Sequence, residues 1–217
     1  MKSLIIYFLV LILMAACEEP VKFIEPQPQG KSNLSAFPDK FKGLYKSVND
    51  DYTIEITDHL ILRTYKSLVS ITKNELDSSK NLELKGNMLI DNDNNIFFKV
   101  TINNDTISGF AIETDSVFNL SNENCLRKFN GHYFLNTKLD DGYLVQMLTN
   151  EGSGKISISA IKKEEMDNLK AITAAEEPND SLMYNYKFEL SKKEFKDFVN
   201  EMHGFRAVEV FQKVKDF

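Results

Sequence analysis

A mainly β fold with minor α, built from antiparallel meander sheets or barrel-like units, is the class this sequence predicts. Three observations point to it. Several segments alternate apolar and polar residues with a period of two. Clusters of Asn and Asp separate neighbouring apolar runs. One segment near the C-terminus carries both a capping box and a helical apolar stripe.

The elements follow in chain order. Tyr52, Ile54 and Ile56 alternate with Thr53, Glu55 and Thr57, a strand with one dry and one wet face. Asp91-Asn92-Asp93-Asn94-Asn95 lies between Met88–Ile90 and Ile96–Val100, and Asn103-Asn104-Asp105 precedes Thr106–Ile112. Both clusters read as hairpin turns, and consecutive hairpins make a meander. Ile156, Ile158 and Ala160 alternate with Lys155, Ser157 and Ser159, a second half-buried strand. A weak helix spans 163–172, with Met166 and Leu169 inward. Tyr184, Tyr186, Phe188 and Leu190 alternate with polar residues as a further strand. Ser191 and Glu194 form an S-x-x-E capping box, and Leu190 and Phe195 stand at the staple positions. Phe195, Phe198, Val199 and Met202 make one stripe, so a helix over 192–202 packs on a sheet, with Gly204 as its stop. Phe205–Val214 reads as a final strand.

The body of the chain repeats itself. Phe41-Lys-Gly43-Leu-Tyr45 returns as Phe129-Asn-Gly131-His-Tyr133. Asp50-Asp51-Tyr52 returns as Asp140-Asp141-Gly-Tyr143, and Lys73-Asn-Glu75-Leu76-Asp77 as Lys163-Glu-Glu165-Met166-Asp167. Three matches in one order predict an internal duplication into β units 37–125 and 126–217.

Composition limits the function. Apolar residues make up 42% and charged residues 27%, which suits a globular core. A net charge of −6, from 26 basic and 32 acidic residues, excludes a general nucleic-acid binder. Two cysteines exclude a disulfide-rich scaffold and a Cys₄ metal site.

The N-terminus is an address. Lys2 precedes an apolar run from Leu4 to Met14, 11 residues long. A helix needs ~20 residues to span a bilayer, so the run fits a signal-peptide core instead. Ala15-Ala16-Cys17 follows, which resembles the lipobox of bacterial lipoproteins, with Met14 where Leu is usual. The resemblance implies a signal peptide over 1–16, lipidation of Cys17 by palmitate-type acyl chains, and anchoring in the outer membrane or at the cell surface. Glu18-Glu19 is similar to the surface-export signals of Bacteroidetes-type lipoproteins. An ordinary signal peptide cut near Ala16 is the alternative. Residues 17–36, with Pro20, Pro26 and Pro28, read as a Pro-rich tether with a contour on the order of 60 Å.

Candidate sites are few. Phe41, Gly43 and Tyr45 share a strand face. With Phe129 and Tyr133 they are similar to the Gly-x-Trp start of lipocalin-type barrels, Tyr replacing Trp. That resemblance implies a cavity for an apolar ligand lined by Phe41, Tyr45, Phe129 and Tyr133; the other reading makes them core. Asp50-Asp51, Asp140-Asp141, Glu164-Glu165 and Glu176-Glu177 are paired acids, but strand neighbours point to opposite faces and do not set up glycosidase geometry. Asp91-x-Asp93-x-Asn95 begins like a calcium loop, yet Ile96 and Ile102 stand where Gly and Glu are required. His59, His132 and His203 have no metal-ligand spacing, and Gly152-Ser-Gly154-Lys155 lacks the rest of a phosphate loop. Cys125 has no partner or activating His in sequence and reads as a buried thiol. No catalytic residue, cofactor or metal is assigned. The chain reads as a non-enzymatic envelope lipoprotein that binds a protein partner, with ligand binding as the alternative and a hydrolase behind both.

Overall fold

A computed structural model describes residues 21–93, 96–162, 165–173, 175–176, 186–201 and 203–214. In chain order the strands are β1 (Lys22–Phe23), β2 (Asn33–Leu34), β3 (Gly43–Ser47), β4 (Tyr52–Ile56) and β5 (Leu60–Thr72). Helix α1 (Lys73–Ser78) precedes β6 (Leu82–Lys85), β7 (Met88–Asp91), β8 (Ile96–Asn103) and β9 (Thr106–Asn119). Then come β10 (Cys125–Phe129), β11 (His132–Leu139), β12 (Gly142–Gly152) and β13 (Lys155–Ala160). Helix α2 (Met166–Ile172), β14 (Ala175–Glu176), β15 (Lys187–Phe188), α3 (Lys192–Asn200) and β16 (Arg206–Lys213) complete the chain. The fold is mainly β with minor α, as the periodicity predicts.

The chain divides into two compact units, 1–41 with 120–210 and 42–119 with 211–217. These bounds cut across the sequence repeat. Within the repeat, three antiparallel strands followed by a short helix occur twice, as β3–β4–β5–α1 and as β11–β12–β13–α2.

In the first unit, β12 is the hub. It pairs antiparallel with β11 along one side and with β13 and β1 along the other. Only β1 and β15 run parallel among the described pairs. Asn130 (φ 49°) and Gly131 (φ 86°) turn the β10–β11 hairpin, the two positive φ values that such two-residue loops require. Phe23, Phe134, Phe188, Phe195, Phe198 and Phe205 form a phenylalanine core with Leu169 and Leu190. Phe195 stands edge-on to Phe134 with centroids 4.9 Å apart. Its helix is fixed by the expected box, in which the Ser191 hydroxyl accepts from the Glu194 N–H and the Glu194 carboxylate from the Ser191 N–H.

Several expectations are corrected. The segment from Val21 is not a tether: Val21, Phe23, Gln27 and Phe37 are buried. Buried Asn136 clamps it, accepting from the Gln27 N–H at 2.5 Å and donating to the Gln27 carbonyl at 2.9 Å. Arg127 adds donations to the carbonyls of Pro26 and Pro28 and, at 2.9 Å, to Asn33 Oδ1. Strand β13 has no wet face, because Ser157 and Ser159 are buried with Ile156 and Ile158. The strand foreseen over 184–190 is only Lys187–Phe188, with Tyr184 and Asn185 outside the described residues. Helix α2 begins at Met166 and α3 ends at Asn200, with Met202 outside the described residues. His203, not Gly204, takes the positive φ after α3. Gly204 is needed for space: a Cβ there would lie 2.1 Å from the buried Phe198 ring.

The second unit is an antiparallel run in the order β3–β4–β5–β9–β8–β7–β6, with Phe211–Lys213 beside β3. It is open rather than barrel-like. Its edge strand β6 is four residues long and points Glu83 and Lys85 to solvent, which blunts an edge against further pairing. Tyr45, Tyr52, Ile54, Ile56, Ile61, Phe118 and Phe211 are buried in this unit, and Tyr52 stands edge-on to Phe211 with centroids 5.9 Å apart. A small apolar cluster joins Leu89, Val100 and Ile107 to Leu76 of α1.

Candidate functional site

The far end of the second unit contains a fork. Strand β8 follows β9 only from Val100 to Asn103, opposite Gly109 to Thr106. Over Ile96–Lys99 it pairs with β7 instead. Strand β9 continues beyond Gly109 against β5, with Leu68 opposite Phe110 and Lys66 opposite Ile112. Gly109 sits at the branching point, where a Cβ would come 2.4 Å from the Lys99 carbonyl oxygen. Only glycine lets the two backbones come this close before they part.

The parting strands leave a depression of about 610 Å³. Its lining includes Lys66, Leu68, Phe97, Lys99, Phe110 and Ile112. Phe97 is 69% exposed, Leu68 and Ile112 67% each, and Phe110 49%. Scattered apolar side chains on a surface are ordinary; here four of them share one depression. The depression is also basic in an acidic chain. Lys66 and Lys99 lie in it, and the Lys66 ammonium stands 4.2 Å from the centre of the Phe110 ring. Arg63 and Asp115 brace the β5–β9 ribbon beside it through two bonds of 2.8 and 3.2 Å. Arg63 thereby holds the Asp115 carboxyl below its ordinary pKa.

The sequence candidates lie elsewhere. Phe41, Tyr45, Phe129 and Tyr133 are all buried, and the Phe41 and Tyr133 rings meet edge-on at 4.9 Å. Phe129 borders a second depression, of about 510 Å³, with Lys192, Lys193 and Lys196. Cys17 falls outside the described residues, as do Asn95, Glu164 and Glu177. Asp141 binds Lys22 at 3.1 Å and Lys187 at 3.4 Å, and these partners, Lys22 foremost, lower its pKa. Asp51 pairs with Lys46 at 3.2 Å. Glu165 is buried, bonded by Arg206 at 2.6 Å and by Asn168 at 2.8 Å. Asp93 donates its N–H to Asp91 Oδ1 at 3.0 Å, a turn contact. His132 shares a bond of 3.0 Å with Thr149, while His59 and His203 are exposed. Cys125 is buried, and burial pushes its thiol pKa up. Among the described residues, no three His, Cys, Asp or Glu side chains gather to hold a metal, and no helix is long and apolar enough to cross a membrane.

The fork escaped the sequence reading because its strands are apolar on both faces. Phe110 and Ile112 alternate with Gly109 and Ala111, and pattern reading puts the large pair inside. The structure buries Ala111 and exposes Phe110 and Ile112. The adjacent Phe97-Phe98 pair was the available signal, since neighbours in a strand face opposite ways. No family model, curated protein or solved structure matches this chain.

Proposed function

We propose that this protein is a lipid-anchored envelope lipoprotein that holds a protein partner at the β8–β9 fork and performs no chemistry of its own. The exposed apolar cluster of Leu68, Phe97, Phe110 and Ile112 carries the reading. The lipobox-like Ala15-Ala16-Cys17 supports the anchor.

Two measurements in intact cells test this. Metabolic labelling with palmitate is expected to mark the wild-type protein and to vanish in Cys17→Ser. A photo-cross-linking residue placed at Phe97 is expected to give one stoichiometric protein adduct, and none when placed at the exposed Lys155. Absence of the Phe97 adduct overturns the docking role; persistent labelling of Cys17→Ser overturns the anchor.

A further inference from the structure

We infer that the fork binds its partner by strand addition: an extended segment bearing acidic residues pairs with the free edge of β9 at Phe110–Asp115. This rests on the docking role proposed above. Strand β9 pairs with β5 throughout this stretch, through Phe110↔Leu68 to Asp115↔Arg63. Its pairing with β8 stops at Gly109, and β5 and β8 are its only strand neighbours among the described residues. The side that β8 leaves therefore presents a row of backbone N–H and C=O groups with no ladder partner. Such a row is a template for an added strand, and its hydrogen bonds recognise extended backbone of any sequence.

The side chains add specificity. On one face of the new strand lie Phe110, Ile112, Phe97 and Lys99, with Lys66 beyond them. Alternate side chains of the added segment would cover the rings and offer a carboxylate to the lysines. The opposite face of β9 carries Glu113 and Asp115, so acidic groups belong on the lysine side alone. A second copy of this chain is the poorer occupant, because meeting fork to fork would set lysines against lysines.

The test uses the full chain and three synthetic peptides of alternating Val, Thr and Glu. One is unmodified, one has its pairing-edge amides N-methylated, and one carries Lys for Glu. The unmodified peptide is expected to bind and to slow amide hydrogen exchange over Phe110–Asp115. N-methylation should weaken binding at least tenfold with side chains unchanged. Lys66→Glu with Lys99→Glu should weaken the acidic peptide about tenfold and strengthen the Lys peptide. Equal binding of the N-methylated peptide overturns strand addition. So does binding only to phosphatidylglycerol vesicles, or self-association through the same amides. No peptide binding at all also overturns it, and a Phe97 protein adduct in cells then leaves the docking role standing.

Discussion

Replacing Asn136 should release the first folded segment. Its amide is the only side chain that bonds both the N–H and the C=O of buried Gln27 among the described contacts. Asn136→Ala leaves both backbone groups buried without those partners, at about 1–3 kcal/mol each. Taking the middle of that range, the loss is about 4 kcal/mol. A factor of ten corresponds to about 1.4 kcal/mol, so the population with residues 21–37 detached rises by about three decades. A unit of this size loses roughly 3 °C of melting temperature per kcal/mol, hence about 12 °C. Limited trypsin digestion reads the detached state directly, because cleavage at Lys22 and Lys31 follows the open population. Asn136→Leu fills the space without restoring the bonds and should behave like Asn136→Ala. Stability of either variant within about 1 kcal/mol of wild type, or unchanged cleavage at both lysines, would refute the clamping role of Asn136.

Four further outcomes are expected. Gly204→Ala drives a methyl group into the Phe198 ring and should lower the urea midpoint by the equivalent of about 1–3 kcal/mol. Arg206→Ala strips the buried Glu165 carboxylate of its cation and should destabilise by about 2 kcal/mol or more, and adding Glu165→Gln should recover much of that in a double-mutant cycle. Ser191→Ala removes the α3 cap and should cost about 1 kcal/mol, read by helical circular dichroism through the thermal transition. Asp141 has a depressed folded pKa, so the stability it contributes is present above its unfolded value of about 4 and is lost as pH falls through the folded value. Asp141→Asn should therefore flatten the stability–pH curve below about pH 4 and leave it parallel to wild type at neutrality.

Where one face of an element is dry and the other wet, the sequence was enough. Tyr52–Ile56 alternates and is a strand; Ser191 and Glu194 mark the start of α3. Reading failed where tertiary packing overrides the local pattern. Prolines 26 and 28 suggested a free tether, but Arg127, about a hundred residues away, donates to their carbonyls. Ser157 and Ser159 looked wet, yet small hydroxyls fit where β13 is covered on both faces. The T-x-x-E box of Thr72 and Glu75 was present in the sequence and does start α1. It passed unread because six residues are too few to show a helical stripe. The fork was hidden for a deeper reason: nothing local records where β8 exchanges β9 for β7.

The division of the chain between its two units also sets a timetable. The first unit opens the chain, is interrupted from 42 to 119, and resumes at 120, while the second takes back residues 211–217. During synthesis the second unit cannot close when its longest stretch, 42–119, has left the ribosome, and the first must wait for 120–210. Strand β3 must wait for Phe211–Lys213, which emerge more than 160 residues later. Domains generally fold as they emerge, N-terminal parts first, and this arrangement defers completion of the first unit until 120–210, and of the second until Phe211–Lys213, have emerged. A nascent chain stalled shortly before Phe211 would hold an unfinished second unit, with the edge of β3 that pairs with Phe211–Lys213 left open, and would depend on chaperones until those residues arrived.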